Sequence, residues 1–86
     1  MGLLDSVDFI SCDEVDNQDK LMMVAKLSNG DWNWYVIAGD RLDGGDVYCF
    51  GFVEGFVDEL GFFMLSEIES VGAELVSDWV PREFSF

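Results

Sequence analysis

The chain has 86 residues, with 18 Asp and Glu against 4 Lys and Arg and no histidine, a formal charge of −14; half of it is hydrophobic and 15% aromatic. That apolar content lies far above what disorder driven by high charge shows, so the chain reads as one folded domain that buries roughly two-thirds of its unfolded surface. Four dispersed cations, Lys20, Lys26, Arg41 and Arg82, supply no basic patch for direct nucleic-acid binding, and the lack of imidazole removes Ser-His and Cys-His catalysis, histidine metal ligation and a proton switch near neutral pH.

At the start, Met1-Gly2-Leu3-Leu4-Asp5-Ser6 fits a loose myristoylation pattern, but acids follow where an anchor wants a basic second signal, so the match reads as chance. Val7 to Cys12 suits an edge strand or, through Leu3, Leu4, Val7 and Ile10, the face of a helix; strand is the preferred reading. Asn29-Gly30 predicts a two-residue type I′ hairpin between Lys20–Ser28 and Asp31–Ala38, because both central residues of that turn take positive φ. Ser28 then opposes Asp31. Leu27 faces Trp32, Ala25 faces Trp34, Met23 faces Val36 and Leu21 faces Ala38 on an apolar core side. The other side, with Lys26 facing Asn33, Val24 facing Tyr35 and Met22 facing Ile37, is wet at the turn and apolar away from it.

Gly39 to Gly45 reads as an exposed connection rich in Gly and Asp. Asp46 to Glu54, apolar on both faces, predicts a central strand in which Gly51 marks a bulge or a close backbone approach. A further strand is expected from Glu59 to Leu65. Ser66 followed by Glu69 is a capping-box pattern, and Ile68, Val71 and Leu75 predict a short helix over Glu67 to Val71, ending near Gly72. Pro81 sets off the tail Arg82-Glu83-Phe84-Ser85-Phe86. The sum is an α+β domain: an antiparallel meander of four or five strands with one short helix packed on a face.

Cys12 and Cys49 show no CxxC spacing and follow no secretory signal, which predicts two reduced thiols in a cytoplasmic protein. No apolar run approaches the ~20 residues of a membrane span.

Three blocks carry a likeness: Trp32-Asn33-Trp34-Tyr35-Val36, then Phe50-Gly51-Phe52-Val53-Glu54-Gly55, then Glu59-Leu60-Gly61-Phe62-Phe63-Met64-Leu65-Ser66-Glu67-Ile68-Glu69. With the tail Arg82-Glu83-Phe84 and its closing Phe86, residues 31–86 resemble an uncharacterised family of domains of unknown function found on plasmids, conjugative elements and phages. Pro81 stands where the family tail shows an acidic residue. The resemblance implies a mobile-element origin and action against host machinery, and it assigns no catalytic residue.

The aromatic set Trp32, Trp34, Tyr35, Tyr48, Phe50, Phe52, Phe62 and Phe63 has the makings of a base-stacking platform, but such platforms are flanked by cations that are missing here. A sheet core is the plainer reading, with some apolar surface left for a partner or a homodimer contact. Glu67 with Glu69, or Asp40 with Asp43, stands out from the other carboxylates in no way that acid–base chemistry requires, so no enzyme is expected. Asp40, Asp43 and Asp46 around Gly44-Gly45 resemble a cation-binding loop without EF-hand spacing; a solvated turn is the plainer account, and no metal or cofactor is expected.

The placement of charge says more. Asp5, Asp8, Asp13, Glu14, Asp16 and Asp19 precede the first cation, and Asp31, Asp40, Asp43, Asp46, Glu54, Asp58 and Glu59 fall at expected turns and strand ends. Alternate side chains on a strand lie ~6.6–6.8 Å apart, comparable with the charge spacing of a nucleic-acid backbone, ~3.4 Å of axial rise per phosphate on each strand. The expectation is a non-enzymatic phage- or plasmid-encoded inhibitor that mimics nucleic-acid charge and blocks the channel of a basic host nucleic-acid-binding protein, in anti-CRISPR or anti-restriction fashion. Its partner-binding residues are expected to be Asp13, Glu14, Asp16, Asp40, Asp43 and Asp46. The alternative is a homodimeric structural or interaction module, joined through an aromatic sheet face, whose acids serve solubility alone.

Overall fold

The computed structural model describes residues 2–85; Met1 of the myristoylation match and Phe86 of the tail lie outside the described residues. A 3₁₀ helix, Cys12–Asn17, precedes β1 (Met22–Met23), β2 (Ala25–Ser28), β3 (Asn33–Arg41), β4 (Val47–Glu54), β5 (Asp58–Met64), α1 (Leu65–Ser70), β6 (Glu74–Leu75) and β7 (Arg82–Glu83). The main sheet has the antiparallel order β5-β4-β3-β2-β6, and β1 pairs with β7 in a separate ribbon. This is the expected α+β arrangement: β2 to β5 form the meander, α1 follows β5 without a loop, and the chain then returns to add β6 beside β2.

One sheet face carries the core. Leu27, Trp34, Val36, Val47, Cys49 and Phe63 are buried there with Leu65 and Ile68 of α1 and with Leu4 of the N-terminal segment. Each fully buried aliphatic side chain contributes about 1.5–3 kcal/mol by leaving water. The core closes without a buried polar or charged side chain among the described residues, so all the acids lie at least partly in solvent.

The predicted hairpin forms, but its register differs by two. Ala25 pairs with Val36, Leu27 with Trp34, Lys26 with Tyr35 and Ser28 with Asn33. The turn is centred one residue later, on Gly30-Asp31, with the Asn29 N–H donating to the Trp32 carbonyl at 3.2 Å. Asn29 keeps negative φ because its side chain folds back: Oδ1 accepts from the Asp31 and Trp32 amides at 3.0 and 2.8 Å. Only Gly30 takes positive φ, +96°, the sign pattern of a type II′ turn. A shift of two preserves side-chain parity, so Ala25, Leu27, Trp34 and Val36 still face the core.

Three further boundaries move. Of Val7 to Cys12 only Cys12 is helical, as the first residue of the 3₁₀ helix, and no regular strand forms: Ile10 makes an isolated parallel bridge to Ala38, and its carbonyl accepts the Gly39 amide at 2.8 Å. Arg41 holds the segment by donating from Nη2 to the Leu4 and Val7 carbonyls at 2.9 and 3.1 Å while lying 4.7 Å above the Phe9 ring. Gly39, Asp40 and Arg41 belong to β3, so the exposed connection shrinks to Leu42–Asp46. The helix starts at Leu65, where the Met64 amide donates to Glu67 Oε1 at 3.1 Å, and Glu67 takes the capping role expected of Glu69. It stops at Gly72, with the Ala73 and Gly72 amides returning to the Ile68 and Glu69 carbonyls, both at 3.0 Å, the two bonds of a Schellman end.

Gly51 sits where expected. It pairs with Val36 next to a bulge at Ile37 in β3, and a side chain on Gly51 would enter the Tyr35 carbonyl.

Candidate functional site

Residues directly opposite one another on antiparallel strands share a face. Asp40, Tyr48 and Met64 therefore form one row across β3, β4 and β5; Ala38, Phe50 and Phe62 the next; Tyr35, Phe52 and Leu60 the third; Asn33, Glu54 and Asp58 the last. The bulge at Ile37 is what lets Tyr35 and Asp40, five apart in sequence, point the same way. This is the face away from the core, and it is aromatic along its length.

Tyr48 and Phe62 stack at 5.2 Å with an interplanar angle of 9°, and Phe50 meets Phe62 at 5.0 Å. Phe62 is 58% exposed and Tyr48 38%, so this half of the face is open. The other half is roofed by the C-terminal segment, where Trp79 packs on Tyr35 at 5.7 Å and Phe84 on Phe52 at 5.3 Å.

Carboxylates border both ends of the aromatic face. At one end Asp40 accepts from Ser11 Oγ at 2.6 Å, and that oxygen also accepts the Asp13 amide at 3.3 Å, joining Asp40 to the 3₁₀ helix that bears exposed Asp13, Glu14 and Asp16. Cys12 lies between them and donates to the Tyr48 carbonyl at 3.6 Å. Burial pushes its thiol up to about 11, with Asp40 and then Asp13 adding to the shift. Deeper burial carries Cys49 to about 12, so neither free cysteine is an activated nucleophile at neutral pH. At the other end Glu54 Oε1 accepts from Tyr35 Oη at 2.8 Å and from Asn33 Nδ2 at 3.3 Å, with Asp58 directly opposite on β5. Burial first, then this bond to Glu54, raises the Tyr35 phenol to about 12. From Tyr48 to Glu54 is six residues of strand, about 20 Å.

No family model, curated protein or solved structure matches this chain.

Of the six acids singled out from sequence, the structure brings Asp13, Glu14, Asp16 and Asp40 together at one end of the aromatic face, with Asp43 exposed in the neighbouring β3–β4 turn. Asp46 is differently occupied. Its carboxylate accepts from Ser66 Oγ at 2.6 Å, the Ser66 amide at 3.0 Å and the Val47 amide at 2.8 Å, which holds it below the usual carboxylate range and ties the turn to the first turn of α1. Asp40, Asp43 and Asp46 do not converge on a cation site among the described residues. Among the described residues no helix is long and apolar enough to cross a membrane. Sequence reasoning counted Glu54 and Asp58 only among the acids at strand ends and Phe84 only in the tail, gave none of them a binding role, and left out Trp79. The alternation Tyr48, Phe50, Phe52, Glu54 was the available signal for the first; nothing local announces that the tail folds back over it.

Proposed function

We propose that this chain is a non-enzymatic acidic inhibitor, cytoplasmic in its host and encoded by a phage or plasmid, that occupies the basic nucleic-acid channel of a defence protein such as a CRISPR effector or restriction enzyme. The observation that supports this reading is the pair of carboxylate groups bordering one apolar face about 20 Å apart, which is the axial length of about six phosphates along one strand. Little of the charge is neutralised internally. The ion pair among the described residues is Arg41 with Asp5, at 4.0 Å and half exposed. Lys26 lies over Tyr35 and Arg82 over Trp79, so these cations are spent on rings. Long-range attraction would speed encounter, and the open aromatic rows would supply desolvated contact area.

The test is capture of proteins from host lysate on the immobilised chain, with and without added duplex DNA or RNA. The captured protein should be a nucleic-acid binder, should be released by nucleic acid, and should be lost with the triple variant Asp13→Lys, Glu14→Lys, Asp16→Lys. Capture indifferent to both would rule the inhibitor out. A second reading, a homodimer through the aromatic face, is favoured by the exposure of Phe62 and Tyr48; it requires a concentration-dependent mass in sedimentation that Phe62→Ser abolishes.

A further inference from the structure

Between the roof and the end of the sheet runs a groove of about 520 Å³, lined by Tyr35, Phe52, Trp79 and Phe84 as aromatic walls and by Glu54 and Asp58 as carboxylates. Its size falls within the range of small-ligand sites. Its chemistry is specific: flat π faces attract cations, and carboxylates at the mouth pair with them. Both hydrogen bonds to Glu54 end on Oε1; among the described residues no donor reaches Oε2, and the Asp58 carboxylate has neither a hydrogen bond nor an ion pair. Two of its walls already carry cations, with Lys26 Nζ 5.6 Å from the centre of the Tyr35 ring. Arg82 lines it with its guanidinium 5.1 Å above the Trp79 ring, while its Nε donates to the Val80 carbonyl and the group pairs with neither carboxylate. One guanidinium is already stacked, and two acids beside it lack a counter-ion.

We propose that this groove is an arginine-binding site, in which a guanidinium from the basic partner stacks on the aromatic walls beside the Trp79–Tyr35 pair and forks onto Glu54 and Asp58. This deepens the inhibitor reading and rests on it for the source of the arginine. Arginine is favoured over lysine because a planar fork both stacks on a ring and reaches two acceptor oxygens, whereas an ammonium is a compact and strongly hydrated point charge.

The test titrates N-acetyl-arginine amide and its neutral isostere N-acetyl-citrulline amide into the intact protein, following the Trp79 indole N–H by NMR. The expected result is saturable binding of the arginine compound at least tenfold tighter than the citrulline compound, with lysine amide between them. The double variant Glu54→Gln, Asp58→Asn, checked for folding by circular dichroism, should reduce arginine to the citrulline level. Equal binding of the two isosteres, absence of an indole shift, or arginine binding unchanged in a folded double variant would each overturn the site. The two proposals fail separately: capture released by nucleic acid without arginine binding sinks the groove alone, and arginine binding without such capture sinks the inhibitor reading while leaving the site.

Discussion

Cys12 reports on the acidic end of the aromatic face. Its thiol is raised to about 11 by partial burial first, then by the carboxylates of Asp40 and Asp13, so at pH 8 almost all of it is protonated and unreactive. Alkylation by iodoacetamide should therefore be slow at pH 8 and accelerate towards pH 11. Asp40→Asn removes a charge that disfavours the thiolate, so it should increase the rate at pH 8 several-fold; a lysine at position 13 should act in the same direction. Cys49, buried in the core, should stay unmodified until the protein unfolds. Asp46 makes a different residue-scale prediction. Its carboxyl is depressed by the Ser66 hydroxyl, then by the Ser66 and Val47 amides, so its contribution to stability is present above the ordinary carboxylate value of 3.8 and is lost as pH falls through the lower folded value. Asp46→Ala should lower the melting temperature at neutral pH and narrow its gap from the parent as the pH falls below the ordinary carboxylate value, as measured by thermal melts across pH.

At the scale of elements, the close approach of β3 and β4 sets the most demanding requirement. Gly51 faces the bulge with no room for a methyl group, because the added carbon would meet the Tyr35 carbonyl, a backbone atom that cannot swing aside. Gly51→Ala should cost about 3 kcal/mol or more and lower the melting temperature by more than ~10 °C, measured by calorimetry. Gly30→Ala, with open space around it but φ at +96°, should cost about 1 kcal/mol. The contrast explains what was legible in the sequence. Strand periodicity assigned β4, β5 and the first part of β3, and a register shift of two leaves parity untouched for Ala25, Leu27, Trp34 and Val36; the bulge at Ile37 turns Ala38, expected on the core side, to the opposite face, and Met23, expected beside it, lines the groove there. The turn was misplaced because Asn29 satisfies Asp31 and Trp32 with its side chain, a choice that propensity at two positions does not encode. The capture of Asp46 by Ser66 and the folding of Trp79 onto Tyr35 join residues 20 and 44 positions apart, beyond any local pattern. That is why one of the expected partner-binding acids has a structural duty and the groove had no counterpart in the sequence reading.

For the whole molecule the governing quantity is the spacing of charge relative to the screening length. A net charge of −14 on 5492 Å² (5492/14) is one per about 390 Å², a mean separation near 20 Å, on a body of 33 × 30 × 23 Å. The Debye length is about 30 Å at 0.01 M salt and about 10 Å at 0.1 M. Across that interval the chain passes from feeling its whole charge to feeling almost none of its neighbours. Self-repulsion destabilises the folded state, so the melting temperature should rise by about 5 °C between 0.01 and 0.1 M NaCl, equivalent to about 1 kcal/mol, and little thereafter. Without histidine the same curve should be flat from pH 8 to pH 6. Attraction to a basic partner has the opposite sign and should weaken over the same salt interval, as isothermal titration with the captured partner would read. A single physical cause thus makes salt stabilise the free protein and loosen its complex. A complex that tightened with salt would place the apolar rows around Phe62, rather than the carboxylates, at the centre of binding.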